Sequence, residues 1–150
     1  YSLINMINIM DHVVYLDYKA KELKNLIFGE KTMIIRGAMG RKFPYGKLQK
    51  DEVLYFIENK GDGMVKAKAG IADVYNSEQL SKEESVQLVE KYQDKLLLDS
   101  GMLKRFSGKR YIVLITLKDF QELEPFKIDR SAYGNMDDWL PVENIDSVKI

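Results

Sequence analysis

"GEKTMIIRG", residues 29–37, decides the architecture because it joins the end of a helix to an apolar strand. Upstream, Leu23, Leu26 and Ile27 have the spacing of one helix face. Gly29 stands where that helix ends, since glycine takes positive φ values without a steric cost. The letters "KTMIIRG" then predict a strand with apolar side chains on both faces, which indicates a central strand. A lysine and an arginine flank it.

Hydrophobic periodicity predicts further strands and one longer helix around this stretch. "NKGDG" separates two alternating segments and indicates a β-hairpin, because its glycines permit a tight turn. Ser81 and Glu84 form the capping-box pattern of a helix start. We interpret residues 99–109 as a linker. The predicted elements are strands at 12–18, 31–37, 52–58, 64–75 and 110–118, helices at 19–29 and 81–98, and a short closing strand at "SVKI".

These elements predict an α+β fold: a small mixed β pseudo-barrel of five to six strands with two main helices and an irregular C-terminal extension. A chain of 150 residues fits one domain, with a core at about 12–118 and an extension over 119–150. The sequence has no cysteine and one histidine, His12, which we interpret as structural. We expect neither a metal nor a cofactor, because a transition-metal site needs several nitrogen or sulfur ligands.

The apolar segments do not predict a membrane protein. No apolar run is long enough to cross a bilayer as a helix. The N-terminal "YSLINMINIM" lacks the basic lead of a signal peptide. The absence of cysteine agrees with a reducing compartment. We therefore expect a cytoplasmic protein without a membrane partner.

Charge is polarised along the chain although the formal net charge is +0. Residues 19–50 hold nine basic and two acidic side chains, whereas residues 119–150 hold eight acidic and three basic ones. A local basic region attracts phosphate even when the total charge cancels. The same polarity also suits a protein-interaction domain in which the basic region of one copy meets the acidic tail of another. The oligomeric state stays open.

The opening stretch resembles the signature of the ASCH family in the PUA-like superfamily, roughly G-x-K-x-x-E-x-R. Gly29, Lys31 and Arg36 match it, and Ile34 occupies the position of the glutamate. The order of elements over residues 12–118 is similar to that of the family. The resemblance implies a pseudo-barrel with a cleft beside the first helix, and such clefts are associated with RNA or modified nucleobases.

Some ASCH relatives hydrolyse acylated cytidine nucleosides with a lysine, a threonine and a glutamate. The threonine of those enzymes falls three residues after the lysine, which is Ile34 here. Isoleucine offers no nucleophilic oxygen. We therefore assign no catalytic residue, and we keep nucleoside amidohydrolase or ribonuclease activity as the alternative to a binding module.

The residues expected to contact RNA or a modified nucleoside lie at both ends of the predicted strand and in the loop after it. Lys31 would act as a point charge and Arg36 as a planar fork for phosphate or a base edge. The loop combines cations with aromatic rings, which suits phosphate contact and base stacking. The candidates are Lys31, Thr32, Arg36, Arg41, Lys42, Phe43 and Tyr45.

Structural roles remain open for the same residues. The alternative for Lys31 and Arg36 is that they are charges flanking a buried strand, with Arg36 paired to Asp51 or Glu52. The alternative for the loop is a solvated segment with its aromatic rings folded beneath it. In the acidic tail, Trp139 either lines the cleft or anchors the tail on the barrel, and anchoring is the expected role.

Overall fold

The computed structural model describes residues 9–150, in which a six-stranded mixed sheet curls around an apolar interior. Residues 1–8, most of the N-terminal segment discussed above, lie outside the described residues. No helix in the described part of the chain has the length and apolar character to cross a membrane. The elements are β1 (Asp11–Leu16), α1 (Glu22–Ile27), β2 (Met33–Ala38), β3 (Val53–Glu58), β4 (Met64–Asn76), α2 (Lys82–Lys91), α3 (Gln93–Leu96), α4 (Ser100–Phe106), β5 (Tyr111–Lys127) and β6 (Trp139–Glu143), followed by a 3-10 turn at Ile145–Ser147.

The strands form one sheet in the order β2-β5-β4-β3-β1-β6. Only β1 and β3 pair in parallel, and the other neighbours are antiparallel. Arg36 on β2 nevertheless donates a hydrogen bond to the carbonyl oxygen of Tyr15 on β1 at 2.7 Å. Three strands lie between these two in the sheet. The sheet therefore curls until its edges face each other, and the predicted α+β pseudo-barrel is confirmed.

β2 is an edge strand, whereas its apolar faces had predicted a central one. Ile34 points into the barrel interior, where it packs with residues such as Phe56 and Ile115. Ile35 faces the other way and packs against helix residues that include Phe106. Both faces are buried because the helices cover the outer face, so burial on two sides does not require a strand on each side.

The helical region differs from the prediction in two ways. The predicted helix over 81–98 begins with the expected capping box of Ser81 and Glu84, but it breaks at Tyr92 into α2 and α3. The predicted linker contains α4, which starts where Asp99 accepts a hydrogen bond from the backbone N–H of Met102 at 2.8 Å. The glycine and serine residues in "DSGMLKRFSGK" favoured a linker over this short helix, and the helix was therefore not predicted.

The C-terminal extension is more regular than predicted. β5 continues to Lys127, and β6 adds to the free edge of β1. The segment "SVKI" contributes only an isolated bridge, between Ile128 and Lys149. Trp139 is buried, and its Nε1–H donates to Nδ1 of His12 at 3.0 Å. The predicted anchoring role of Trp139 is confirmed, because this bond ties β6 to β1.

Candidate functional site

A cleft of about 460 Å³ opens where the two edges of the curled sheet face each other. Its walls come from the end of β1, the start of α1, the turn between β3 and β4, the helix α4 and the loop before β6. The cleft therefore lies beside the first helix, as the resemblance implied. Its lining includes Tyr15, Asp17, Glu22, Arg36, Glu58, Asn59, Lys60, Met102, Arg105, Arg130, Asn135, Met136, Asp137 and Asp138.

Arg36 stands in the seam between the sheet edges and is only 8% exposed. Its two terminal nitrogens donate to the carbonyl oxygens of Ile35 at 2.9 Å and Tyr15 at 2.7 Å. The guanidinium carbon lies 5.4 Å from the ring centroid of Trp139, at a cation–π distance. These contacts fix the guanidinium plane. They leave Nε to face Asp138, whose nearest carboxylate oxygen is 3.7 Å away.

Glu22 is the second fixed polar group of the cleft and is 3% exposed. One carboxylate oxygen accepts a hydrogen bond from the backbone N–H of Asp17 at 2.8 Å. The other lies 3.4 Å from Nζ of Lys31, an ion-pair distance. Lys31 itself is 2% exposed and donates to the carbonyl oxygen of Leu96. Burial lowers the pKa of Lys31, and the charge of Glu22 partly offsets this effect.

Two buried polar atoms in residues that line this cleft make an ion-pair contact but no hydrogen bond: Oε2 of Glu22, which faces Lys31, and Nε of Arg36, which faces Asp138. The first is an acceptor and the second a donor. A buried polar atom without a partner costs about 1–3 kcal/mol, and folded proteins contain few of them. A ligand that offers one donor and one acceptor would satisfy both atoms. Both atoms thus retain unused hydrogen-bonding capacity.

The charge of the cleft is mixed, which corrects the prediction of a basic cleft. Its cations are Arg36, Lys60, Arg105 and Arg130, whereas its carboxylates are Asp17, Glu22, Glu58, Asp137 and Asp138. Most of the cations of residues 19–50 do not line the cleft, because the curl of the sheet brings acidic residues of the C-terminal extension to its rim instead. A densely anionic ligand does not suit these walls.

The predicted loop residues lie next to Arg36 but surround a smaller hollow of about 60 Å³. Lys42, Phe43 and Tyr45 line that hollow together with Arg36. The Tyr45 hydroxyl donates to the carbonyl oxygen of Ser77, so its ring is held in place. Arg41 stacks over the ring of Tyr111, at 5.4 Å from the centroid. The structure therefore places the predicted loop residues beside the cleft.

The other two predicted residues lie elsewhere. Lys31 and Thr32 line a separate depression of about 140 Å³, with Gly29 and Lys118. Lys31 extends from there into the interior and reaches Glu22 from behind. The structure thus does not bring the backbone of Lys31 and Thr32 together with Arg36, because they stand at opposite ends of β2.

The arrangement of strands and helices is similar to that in solved structures of ASCH proteins. ASCH from Zymomonas mobilis has a TM-score of 0.67 and 13% sequence identity, over 92% of this chain and 91% of that chain. A serine-to-alanine variant of that protein has a TM-score of 0.69 and 13% sequence identity, over 93% of this chain and 93% of that chain. The chain has the ASCH fold. The fold expected from Gly29, Lys31 and Arg36 is confirmed.

The chain is also similar in structure to the N-terminal domain of Staphylothermus marinus McrB, with a TM-score of 0.55 and 10% sequence identity, over 91% of this chain and 90% of that chain. In sequence, the chain matches no model of a known protein family and no curated protein. The shared property is therefore the three-dimensional arrangement of the elements.

Sequence reasoning missed several residues that shape the cleft of this ASCH fold. Glu22 is four residues before Leu26, on the apolar face of α1, and an acid on an apolar stripe was an available signal. Arg105 was missed because α4 was interpreted as a linker. Arg130 lies over the ring of Tyr15 at 5.2 Å and depends on a chain reversal that periodicity does not reveal.

Proposed function

We propose that the chain binds RNA or a modified nucleobase or nucleoside, with a base in the cleft beside α1. The carrying observation is the pair of buried atoms that make no hydrogen bond, Oε2 of Glu22 and Nε of Arg36, in residues that line one cleft. The edge of a nucleobase such as cytosine presents an amino donor next to a ring-nitrogen or carbonyl acceptor. Carboxylates accept from exocyclic amino groups, and arginine donates to ring nitrogens and carbonyls.

The mixed charge of the walls supports a base rather than a phosphate in the cleft. A base is neutral and brings no charge toward the carboxylates of Asp137 and Asp138. Tyr15 and the exposed Met136 add aromatic and apolar surface on which a base can stack. Exposed cations of the lining such as Arg105 would meet the backbone of a polynucleotide outside the cleft.

Titration at low ionic strength tests this proposal, with nucleosides and with single- and double-stranded RNA as ligands. Glu22→Gln keeps the shape of the side chain but places an amide where a second acceptor stood. We expect it to weaken binding of amino-bearing bases by roughly tenfold or more. Glu30→Gln is the matched control, since Glu30 is exposed and lies outside the cleft. Binding no tighter than that of a charge-matched control protein contradicts the proposal.

A second candidate, hydrolysis of an acylated nucleoside or of RNA, is favoured by Lys31. Burial lowers the pKa of Lys31 and so favours the uncharged amine, the form that acts as a nucleophile or base. Glu22 at 3.4 Å would orient it and hold a proton. The test is turnover of acylated cytidine and of RNA by the parent chain and by Lys31→Met, with folding checked by circular dichroism. Turnover that is absent, or equal in both proteins, removes this candidate.

A further inference from the structure

A second hollow, of about 680 Å³, lies beside the cleft. The end of α4, the loop after it and the start of α2 form its walls. We call it the basic groove, because its lining contains five cations and no carboxylate: Lys82, Lys104, Arg105, Lys109 and Arg110. In sequence these residues fall outside the basic segment 19–50. Four of them fall within residues 104–110, and the fold adds Lys82 from the start of α2.

The charge of the basic groove is not compensated. No salt bridge formed within residues 9–150 involves any of its five cations. Four of the five side chains are exposed, and Lys109 is half-buried. Cations clustered in a concave surface attract a polyanion and concentrate it there. The groove thus has the electrostatics that the cleft lacks.

Arg105 connects the two hollows, since its side chain lines both the basic groove and the cleft. It also lines the small hollow around Lys42 and Phe43. A chain that follows the groove therefore arrives at the mouth of the cleft. The two surfaces differ in the way that the two parts of a nucleotide differ: one favours anions, and the other offers a donor and an acceptor.

We propose that the basic groove holds the sugar-phosphate backbone of a single-stranded RNA whose next base enters the cleft. This inference rests on the proposed function and extends it from a nucleoside to a strand. A single strand is required because its bases are free to turn into a cleft, which stacked and paired bases are not. An acidic peptide fits less well, since its carboxylates would meet those of Asp137 and Asp138 beyond Arg105.

The salt dependence of binding tests the groove. Each phosphate neutralised on a single strand contributes about −0.7 to the slope of log K against log salt concentration. The double variant Lys104→Ala/Arg110→Ala removes two exposed cations without a carboxylate partner, so we expect a folded protein. Its affinity for a twelve-nucleotide RNA should fall at least tenfold at low salt, and its slope should become shallower by about 1.4. Affinity for a single nucleoside should not change.

The matched control is Lys47→Ala/Lys127→Ala, which removes two exposed cations outside both hollows. It should leave the affinity for the oligonucleotide within about twofold. An unchanged affinity and slope in Lys104→Ala/Arg110→Ala overturns the groove. So does a glutamate peptide of equal length that competes as well as the RNA does.

Failure of the proposed function gives a different pattern. If Glu22→Gln changes neither nucleoside nor oligonucleotide binding while Lys104→Ala/Arg110→Ala weakens the oligonucleotide, then the cleft assignment fails and the groove stands. If Glu22→Gln weakens both ligands and the groove variant weakens neither, then the cleft stands and the groove is overturned. Both variants need to be measured at three salt concentrations, so that the slope and the affinity are separated.

Discussion

The two ends of β2 carry the same kind of charge in opposite situations. At the first end, Lys31 is buried against a carboxylate, and a backbone carbonyl takes a further hydrogen bond from it. At the second end, Arg36 is bonded to two backbone carbonyls, but its Nε makes no hydrogen bond and only faces Asp138 at 3.7 Å. Lys31 is thus satisfied within the fold, and Arg36 is incompletely satisfied at the cleft.

The contrast teaches that the role of a cation at the end of a strand depends on which of its hydrogen-bond donors are still unused. Lys31 affects the cleft only indirectly, because its positive charge offsets the cost of burying the Glu22 carboxylate. Arg36 acts on the cleft directly, because its fork is held by the backbone and its remaining donor is not used. A lysine could not replace it, since one ammonium cannot make several fixed bonds in one plane.

The largest expected effect is the loss of stability when Lys31 is replaced. Lys31→Met removes the cation and leaves the carboxylate of Glu22 buried without its partner. Breaking a buried ion pair from one side costs about 3–5 kcal/mol. We expect a loss of that size in the free energy of unfolding, measured by urea denaturation. The exposed Lys19, changed to Met, is the control and should alter stability by less than about 0.5 kcal/mol.

A second variant decides whether the loss comes from the orphaned charge. In Lys31→Met/Glu22→Leu both charges are gone, and replacing a buried pair by apolar residues of similar volume is often neutral. The double variant should therefore recover most of the lost stability, apart from about 1 kcal/mol for the bond from the Asp17 N–H. A double variant as unstable as Lys31→Met would show that Lys31 acts through packing instead.

The next largest effect is on the Arg36 end, and it concerns binding. Arg36→Lys keeps the positive charge but loses the planar fork, so the donor at Nε disappears from the cleft. A hydrogen bond to a charged group is worth about 1.5–3 kcal/mol. Nucleoside affinity should fall by roughly 10- to 100-fold, as measured by calorimetric titration. The fluorescence of Trp139, the only tryptophan, reports whether the seam stays intact; unchanged affinity would remove Arg36 from the site.

Local patterns predicted the elements that are determined by their own residues. The hairpin around "NKGDG", the capping box at Ser81 and the helix end at Gly29, whose φ is 80°, all depend on neighbours in the chain. The pattern of β2 correctly predicted burial on both faces. It could not reveal the edge position, because the helices that cover β2 come from residues far along the chain.

The site was less predictable because the curl of the sheet assembles it. Arg36 was recognised from a short signature, whereas its surroundings come from the helix α4 and from the loop that carries Asp138. The excess of basic residues in 19–50 predicted a basic cleft, but charge counted along the chain says little about charge in space. The basic groove was missed for a different reason: four of its cations are close in sequence, at residues 104–110, but most of that segment was interpreted as a linker.

Acidification is expected to lower the stability of the protein through His12, which is hydrogen-bonded to Trp139 beside Arg36. Trp139 donates to Nδ1 of His12, so the proton of the neutral ring lies on Nε2, which faces Glu52 at 3.1 Å. Burial lowers the pKa of His12 below its ordinary value of 6.5, although Glu52 and Asp11 partly oppose this. The unfolded chain therefore takes up a proton first as the pH falls. Stability should decrease below pH 6.5, with a slope of at most about 1.4 kcal/mol per pH unit.

Urea denaturation between pH 7.5 and 5 measures this decrease, and His12→Gln is the comparison. Glutamine carries no titrating group, so the pH dependence of this variant should be flatter above about pH 5. The lowered pKa values of exposed carboxylates such as Asp51 and Asp62, each held down by a hydrogen bond, act only at lower pH. Equal pH dependence in both proteins would assign the effect to another group.

The smallest expected effect comes from changing Asp138, the carboxylate that faces Nε of Arg36. Asp138 lies 3.7 Å from Nε of Arg36, and its side chain is 49% exposed. Such a half-exposed contact contributes little to stability, so Asp138→Asn should change the free energy of unfolding by less than about 0.5 kcal/mol. It should nevertheless raise the affinity for an oligonucleotide by a few-fold, because a carboxylate at the mouth of the cleft repels the backbone. Weaker binding by Asp138→Asn would instead show that Asp138 contacts the ligand, and Arg36 would then share the recognition of the base with a second carboxylate.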